Sequence, residues 1–297
     1  KSTVLIMGDQ INRGIASLAN KTPDDTRILF IELATKFSDK QWHRQKVHLL
    51  LSALKHFAQE LREEGFEVDY RIAKNLNEGV KAHKRDFDVT HVIAMEPMNW
   101  NGKKILENLD IELVRNNQFL CHYEDFAEWT KTKTKFKMED FYRWQRKRLD
   151  ILMDGSTPCE GKWNFDHDNR ERPPRDGREW PSITLFEHDD IDNDILQNLD
   201  DFWGAYPKGV WPVTREQALI RLDEFVNGAL KPFGPYEDAM LGKEWKLAHS
   251  VLSSSLNIGL LHPMEVVRAV EQAYTDGEAP INSCLLYTSD AADDLTR

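Results

Sequence analysis

Five short apolar runs of strand length, separated by stretches of different periodicity, dominate the first 120 residues and restrict the fold more than any other feature. They are "TVLIMG" (3–8), "RILFIEL" (27–33), "FEVDYRIA" (66–73), "THVIAMEP" (90–97) and "IELVRN" (111–116), each rich in the β-branched and aromatic residues that suit a pleated, buried surface. Between the second and third runs Val47, Leu50, Leu51, Leu54, Phe57, Ala58 and Leu61 recur on one helical face, and Gly65 supplies a stop. The order is βαβαβ. Parallel strands need crossovers, and these are right-handed, so residues 1 to about 120 are expected to form an α/β domain with a parallel sheet covered on both faces.

Strand signals stop after residue 130. "KTKTKFKMEDFYRWQRKRLDILM" (131–153) is basic and aromatic and reads as helix from Lys137. A Pro-, Gly- and charge-rich connector follows (163–182), then an acidic run containing Asp189, Asp190, Asp192 and Asp194. That run lacks the central glycine of a calcium loop and is expected to be a solvated linker rather than a metal site. "DHD" (166–168) is read as a turn in which Asp and Asn bond nearby backbone. Helical pattern returns at Thr214, which forms a capping-box pair with Gln217; Leu219, Leu222, Phe225, Val226 and Leu230 make the expected buried stripe. Pro263 opens a further helix. The expected divisions are 1–130, an α/β domain; 131–212, a connector with a basic aromatic helix; and 213–283, the beginning of an all-α domain. Residues 284–297, "CLLYTSDAADDLTR", resemble a translated sequencing-library adapter and are expected to lie outside the fold.

The net charge of −11 argues against bulk attraction to nucleic acid, leaving a local basic patch as the route to DNA. Lys131, Lys133, Lys135, Lys137, Arg143, Arg146, Lys147 and Arg148, interleaved with Phe136, Tyr142 and Trp144, offer phosphate contacts and stacking. The alternative is an amphipathic helix with a solvated basic side and its aromatics packed inward. Cys121, Cys159 and Cys284 have neither zinc nor disulfide spacing, and no apolar run reaches membrane-spanning length. A cytoplasmic location and a monomer are the expectations.

One stretch carries more specific chemistry. In "HSVLSSSLNIGLLHP" (249–263), read as helix, Ser250, Ser253, Ser254 and Asn257 fall on one face. A hydroxyl row near a helix start suits a phosphate or, more plainly, solvent. Taken with "YEDAM" (236–240), "MGDQ" (7–10), "FYRWQRKRLDILMDG" (141–155) and "GKWNFDHDNR" (161–170), the chain resembles, over residues 3–283, the deoxyribodipyrimidine photolyase-related proteins. These form the iron-sulfur bacterial cryptochrome and prokaryotic (6-4) photolyase branch of the photolyase and cryptochrome superfamily.

The resemblance implies a Rossmann-like N-terminal domain holding a lumazine-type antenna chromophore, followed by a helical FAD-binding domain. Tyr236, His249, Ser250, Leu252, Ser253 and Ser254 would then line the FAD phosphates, and Gly8, Asp9, Gln10, Glu32, Glu96 and Pro97 the antenna. Lys36 and Asp39 depart from the residues expected around that antenna. Strand ends are where doubly wound sheets bind ligands, which supports the antenna set independently. The implied activity is light-driven repair of pyrimidine photolesions, (6-4) photoproducts or cyclobutane dimers, in UV-damaged DNA, with a non-repairing blue-light photoreceptor as the alternative. The catalytic residues and the thiolates of a [4Fe-4S] cluster would lie beyond residue 283 of a longer parent. The chain by itself is expected to hold no cluster, to bind FAD weakly and to be inactive.

Overall fold

The computed structural model describes residues 1–38 and 40–294, with side chains described through Thr288. Asp39 and the last three residues of the tail lie outside the described residues. In chain order the elements are β1 (Ser2–Ile6), β2 (Thr26–Leu33), α1 (Arg44–Glu63), β3 (Glu67–Ala73), α2 (Leu76–Phe87), β4 (Val92–Met95), α3 (Trp100–Glu107), β5 (Glu112–Val114), α4 (Tyr123–Thr130) and α5 (Met138–Leu149). A two-residue hairpin, β6 (Met153–Asp154) with β7 (Thr157–Pro158), precedes α6 (Asp190–Leu196), α7 (Arg215–Glu224), α8 (Leu230–Tyr236), α9 (Ser253–Ile258), α10 (Pro263–Thr275) and α11 (Ile281–Asp294). The chain groups into two compact units.

The first unit comprises 1–118, 185–218 and 254–260. All five expected strands are present and pair in parallel in the order β3-β2-β1-β4-β5. The central strands are buried on both faces, so their sequences run apolar rather than alternating: Val4, Leu5, Ile28, Leu29 and Phe30 are all fully buried. One core joins Leu5, Leu29, Val92 and Ala94 to Leu76 and Val80 of α2 and Leu106 of α3. On α1, Val47, Leu54, Phe57, Ala58 and Leu61 are buried as the pattern required, and the Phe57 ring meets Phe30 edge-on at 6.1 Å. Gly65 adopts φ +96°. With Gly65 N–H donating to Arg62 (2.9 Å) and Phe66 N–H to Leu61 (3.0 Å), it closes α1 in the left-handed conformation that a side chain resists.

The acidic run is helical rather than a linker: Asp189, Asp190 and Asp194 are solvated as expected, but Asp192 is not. Asp189 caps α6, its Oδ1 accepting from Ile191 N (2.9 Å) and Asp192 N (3.0 Å), and Asp192 is 1 % exposed. Acidic residues at a helix start satisfy free N–H groups and oppose the helix dipole, which is why a run of aspartates folds here. α6 packs on α1 through Ile195, Leu199 and Val47.

The second unit comprises 119–184, 219–253 and 261–297. Trp129 of α4 packs with Phe141 (5.2 Å) and Trp144 (6.0 Å) of α5. The expected stripe from Leu219 to Leu230 is only partly realised: Leu219 is 42 % exposed, whereas Arg221 is fully buried, donating to Thr184 O (2.8 Å) and Glu224 (2.7 Å). A π-helical turn at Phe225–Ala229 shifts the helix face, so a fixed 100° period cannot describe α7 and α8 together. Pro263 opens α10 behind the His262 cap. Residues 284–288, expected to carry no regular structure, continue α11, with Cys284, Leu285 and Tyr287 buried. Among the described residues no helix is long and apolar enough to cross a membrane.

Candidate functional site

The residues expected around the antenna stand at the carboxyl ends of three adjacent strands of the first unit: Gly8, Asp9 and Gln10 beyond β1, Glu32 near the end of β2, and Glu96 and Pro97 after β4. The chain order reverses between β1 and β4, and their ends diverge into the crevice where such sheets hold ligands. Gln10 lies across that crevice. Its Nε2 donates to Met95 O at 3.0 Å, while its buried Oε1 has no hydrogen-bond partner. Glu96 is buried and accepts from Asn116 N at 3.1 Å, and its backbone carbonyl accepts from Asn116 Nδ2 at 2.8 Å. Tyr70 donates to Glu32 Oε2 at 2.6 Å; burial first, and this bond second, push the Tyr70 hydroxyl well above its usual range.

Asp9 and Lys36 modify the crevice further. Both touch solvent but are flanked closely by protein, and that desolvation pushes the Asp9 carboxyl up and the Lys36 ammonium down, against their mutual attraction. Lys36 Nζ would lie 3.8 Å from a Cβ on Gly8. The departure noted in the sequence therefore faces the same loop as the expected ligand residues. An orphaned buried acceptor beside carboxylates and a lysine fits a polar heterocycle with N–H groups.

The serine-rich stretch differs from the expected helix. Residues 249–252 are not helical; Val251 takes φ +58°, and α9 starts only at Ser253. Ser250 is consequently not on a common helical stripe with Ser253 and Ser254. Its Oγ instead accepts from Leu252 N (3.3 Å) and from Tyr287 Oη (3.1 Å). Leu252 is buried, Ser253 is exposed, and the Ser254 hydroxyl is buried without a hydrogen-bond partner. His249 is exposed and meets Phe233 edge-on at 6.0 Å, and partial desolvation lowers its pKa from the usual histidine value. It therefore offers a neutral N–H rather than a charge. Tyr236 packs against Trp180 (5.5 Å) and beneath the Arg178 guanidinium (5.3 Å). The donor chemistry of Ser253, Ser254 and His249 fits a phosphate group, while Ser250 is already engaged.

The basic helix divides into two kinds of residue. Lys131, Lys133, Lys135, Lys137, Lys147 and Arg148 are exposed. Arg146 is 3 % exposed and donates through Nε to Ile151 O (3.1 Å) and through Nη2 to Leu152 O (2.5 Å), so it holds the turn after α5 and is unavailable to phosphate. Phe141 is buried and Tyr142 and Trp144 are half-buried, but Phe136 is exposed, so the inward packing of the amphipathic alternative is only partly realised. Next to α5 lies a cavity of about 320 Å³ lined by Met138, Tyr142, Trp163, Phe165, Asp166 and Asn169 among others. The pattern of "DHD" within "WNFDHDNR" predicts a turn. Asp166–Asn169 does form a 3-10 turn, but Trp163 and Phe165 beside polar Asp and Asn were the signal for a lined cavity.

Comparison with known proteins places these features in a family. The family model for the deoxyribodipyrimidine photo-lyase-related protein matches residues 4–206. A (6-4) photolyase of Agrobacterium fabrum is 32 % identical over 94 % of this chain and 58 % of its own length. An uncharacterized protein, R852, of Acanthamoeba polyphaga mimivirus is 27 % identical over 51 % of this chain and 86 % of its own. A crystal structure of a class III photolyase from Agrobacterium tumefaciens superposes with a TM-score of 0.62 at 14 % identity, covering 98 % of this chain and 56 % of that one. This chain thus spans a little over half the length of either photolyase. On the extent of the family match and the identity to a full-length relative, the chain belongs to the deoxyribodipyrimidine photo-lyase-related protein family.

Proposed function

We propose that the chain is the antenna-binding domain and the opening part of the flavin-binding domain of a light-driven, FAD-dependent DNA lyase acting on pyrimidine photolesions. The observation that carries this is the 32 % identity to a (6-4) photolyase maintained across 94 % of the chain. In the first unit, Gln10, Glu96 and Asp9 would hold a lumazine-type chromophore at the β1/β4 crevice, with Gln10 Oε1 accepting from a ring N–H. In the segment 249–254, the hydroxyls of Ser253 and Ser254 and the neutral His249 would bind the flavin pyrophosphate through donors rather than cations. Reduced FAD, when bound, supplies the light-driven electron; the protein supplies position and exclusion of water. Exposed lysines before and within α5 would contact DNA phosphates, and unstacking a damaged base is less costly than unstacking a paired one.

The test uses the polypeptide encoded by the genomic reading frame that contains this chain. Repair of a synthetic duplex bearing one (6-4) photoproduct or one cyclobutane dimer under blue light, and not in the dark, is the expected result. Flavin photoreduction without repair of either lesion would overturn the lyase reading in favour of a photoreceptor. A purified protein that takes up no flavin would overturn both.

A further inference from the structure

α1 and the α6 segment of the first unit bring together a second set of polar groups, remote in sequence from the crevice residues. His56 Nδ1 lies 2.7 Å from the Ser52 carbonyl oxygen. A carbonyl only accepts, so Nδ1 carries the proton, and Nε2 is left to face the Asp189 Oδ2 at 2.8 Å. Two lone pairs cannot meet at that distance without a cation between them, either a proton or a metal ion. This is also the arrangement of a metal-binding histidine, whose far nitrogen donates to a backbone carbonyl and thereby fixes the ring.

Three further observations favour a metal. The ligand atoms of His56, Asp189 and Asp192 all lie within 4.8 Å of one another. Donors bound tetrahedrally at zinc distances stand about 3.3 Å apart, so the widest spacing here would close on binding. Asp192 also contributes a buried carboxylate, paired with His48 but without a well-aligned hydrogen bond at one oxygen. Its Oδ2 accepts from Asp189 N (3.3 Å), but Oδ1 has no hydrogen-bond partner, although the side chain is 2 % exposed. His48 Nε2 pairs with that oxygen at 3.1 Å without hydrogen-bond alignment, and the buried Ser52 hydroxyl lies beside the same carboxylate. Finally, His56 and Asp189 line a cavity of about 230 Å³, room for water to complete a coordination shell.

We infer that His56 Nε2, Asp189 Oδ2 and a carboxylate oxygen of Asp192 form a binding site for one divalent first-row transition ion of the zinc class, with His48 orienting the Asp192 carboxylate. One imidazole and two carboxylates with an open position suit such an ion, whereas magnesium and calcium take all-oxygen shells. The ion would tie the acidic segment to α1, and it is independent of the flavin and antenna reading.

Cobalt(II) is the direct probe, because a low-symmetry nitrogen and oxygen site gives visible bands that hydrated cobalt lacks. Titrating the metal-free chain with cobalt chloride should give one saturable site, displaced by zinc and not by millimolar magnesium or calcium. H56A and D189A, which alter partly exposed residues, should each weaken binding by about tenfold or more. They should also abolish the zinc-dependent rise in melting temperature while leaving the circular dichroism spectrum unchanged. D192N is the stricter variant if it folds. Lack of saturable cobalt binding, equal competition by magnesium, or full binding in both H56A and D189A would overturn the site.

Discussion

The imidazole of His83, completely buried on α2, bridges two strands: Nδ1 lies 2.5 Å from Asp69 Oδ2 on β3 and Nε2 lies 2.9 Å from Thr3 Oγ1 on β1. Arg71 Nε adds a 2.8 Å bond to the same carboxylate oxygen. Removing the ring leaves the buried Thr3 hydroxyl without this partner and Asp69 held by Arg71 alone. H83A is expected to cost about 2–4 kcal/mol in urea unfolding, and a loss below about 0.5 kcal/mol would show that water replaces the ring.

The same network sets an acid response. Burial disfavours the Asp69 carboxylate, but the bonds from His83 and Arg71 outweigh it and hold the pKa below its ordinary value of 3.8. A depressed folded pKa means that the unfolded chain binds the proton more readily. The stabilisation is therefore complete above the ordinary value and is lost as pH falls through the folded one. D69N should flatten the fall in stability below about pH 4 relative to the native chain. Equal slopes in chemical denaturation at pH 5 and pH 3 would contradict this.

Gly79 lets α2 approach β2. A Cβ there would stand 2.8 Å from Cδ1 and 2.9 Å from Cγ2 of Ile31, whose branched side chain has little freedom to yield. G79A is expected to destabilise the first unit by about 1–3 kcal/mol despite alanine's better helix propensity. Combining it with I31A should recover part of the loss, a coupling that a double-mutant cycle measures directly.

Among the described residues Arg221 is the largest fully buried side chain, held by Glu224 and the Thr184 carbonyl. R221A should cost about 3–5 kcal/mol, because it leaves a large hole, strands the Thr184 carbonyl and leaves Glu224 with the Thr184 N–H but no cation. R221M, which refills the volume, should cost less. The order of the two midpoints in urea decides between lost charge pairing and lost packing.

The lysines and Arg146 should separate in DNA binding. Replacing Lys131, Lys133 and Lys135 together by alanine should lower the slope of log affinity against log salt by up to about 3 for the polypeptide encoded by the containing reading frame. R146A should instead lower the thermal midpoint, since that guanidinium binds backbone carbonyls. An unchanged salt slope in the triple variant would remove these lysines from the DNA surface.

For the crevice, Q10L removes both the bond to Met95 and the orphaned acceptor. Fluorescence titration with a lumazine should show binding about tenfold weaker, the worth of one buried hydrogen bond in a closed site. Undiminished affinity would place the chromophore elsewhere.

What the sequence determined by itself is the α/β plan of the first 120 residues, because local periodicity and strand composition are properties of neighbouring residues. Val47 to Leu61 with Gly65 specified α1, and five apolar runs specified five strands. The motif order carried the family, and the strand-end positions of Asp9, Gln10 and Glu96 followed from where parallel strands must finish. Tertiary structure alone decided the rest. Ser250 left the helix because Val251 takes a left-handed conformation that no period reveals. Arg221 went inward and Leu219 outward because α7 and the turn after it bury the face carrying Ala218, Leu222 and Phe225, where Glu224 and the Thr184 carbonyl pair the guanidinium. Asp192 was buried rather than solvated because α6 docks on α1, bringing it against His48, 144 positions earlier in the chain. Burial and pairing of charge depend on partners distant in sequence, and only the folded chain brings those partners together.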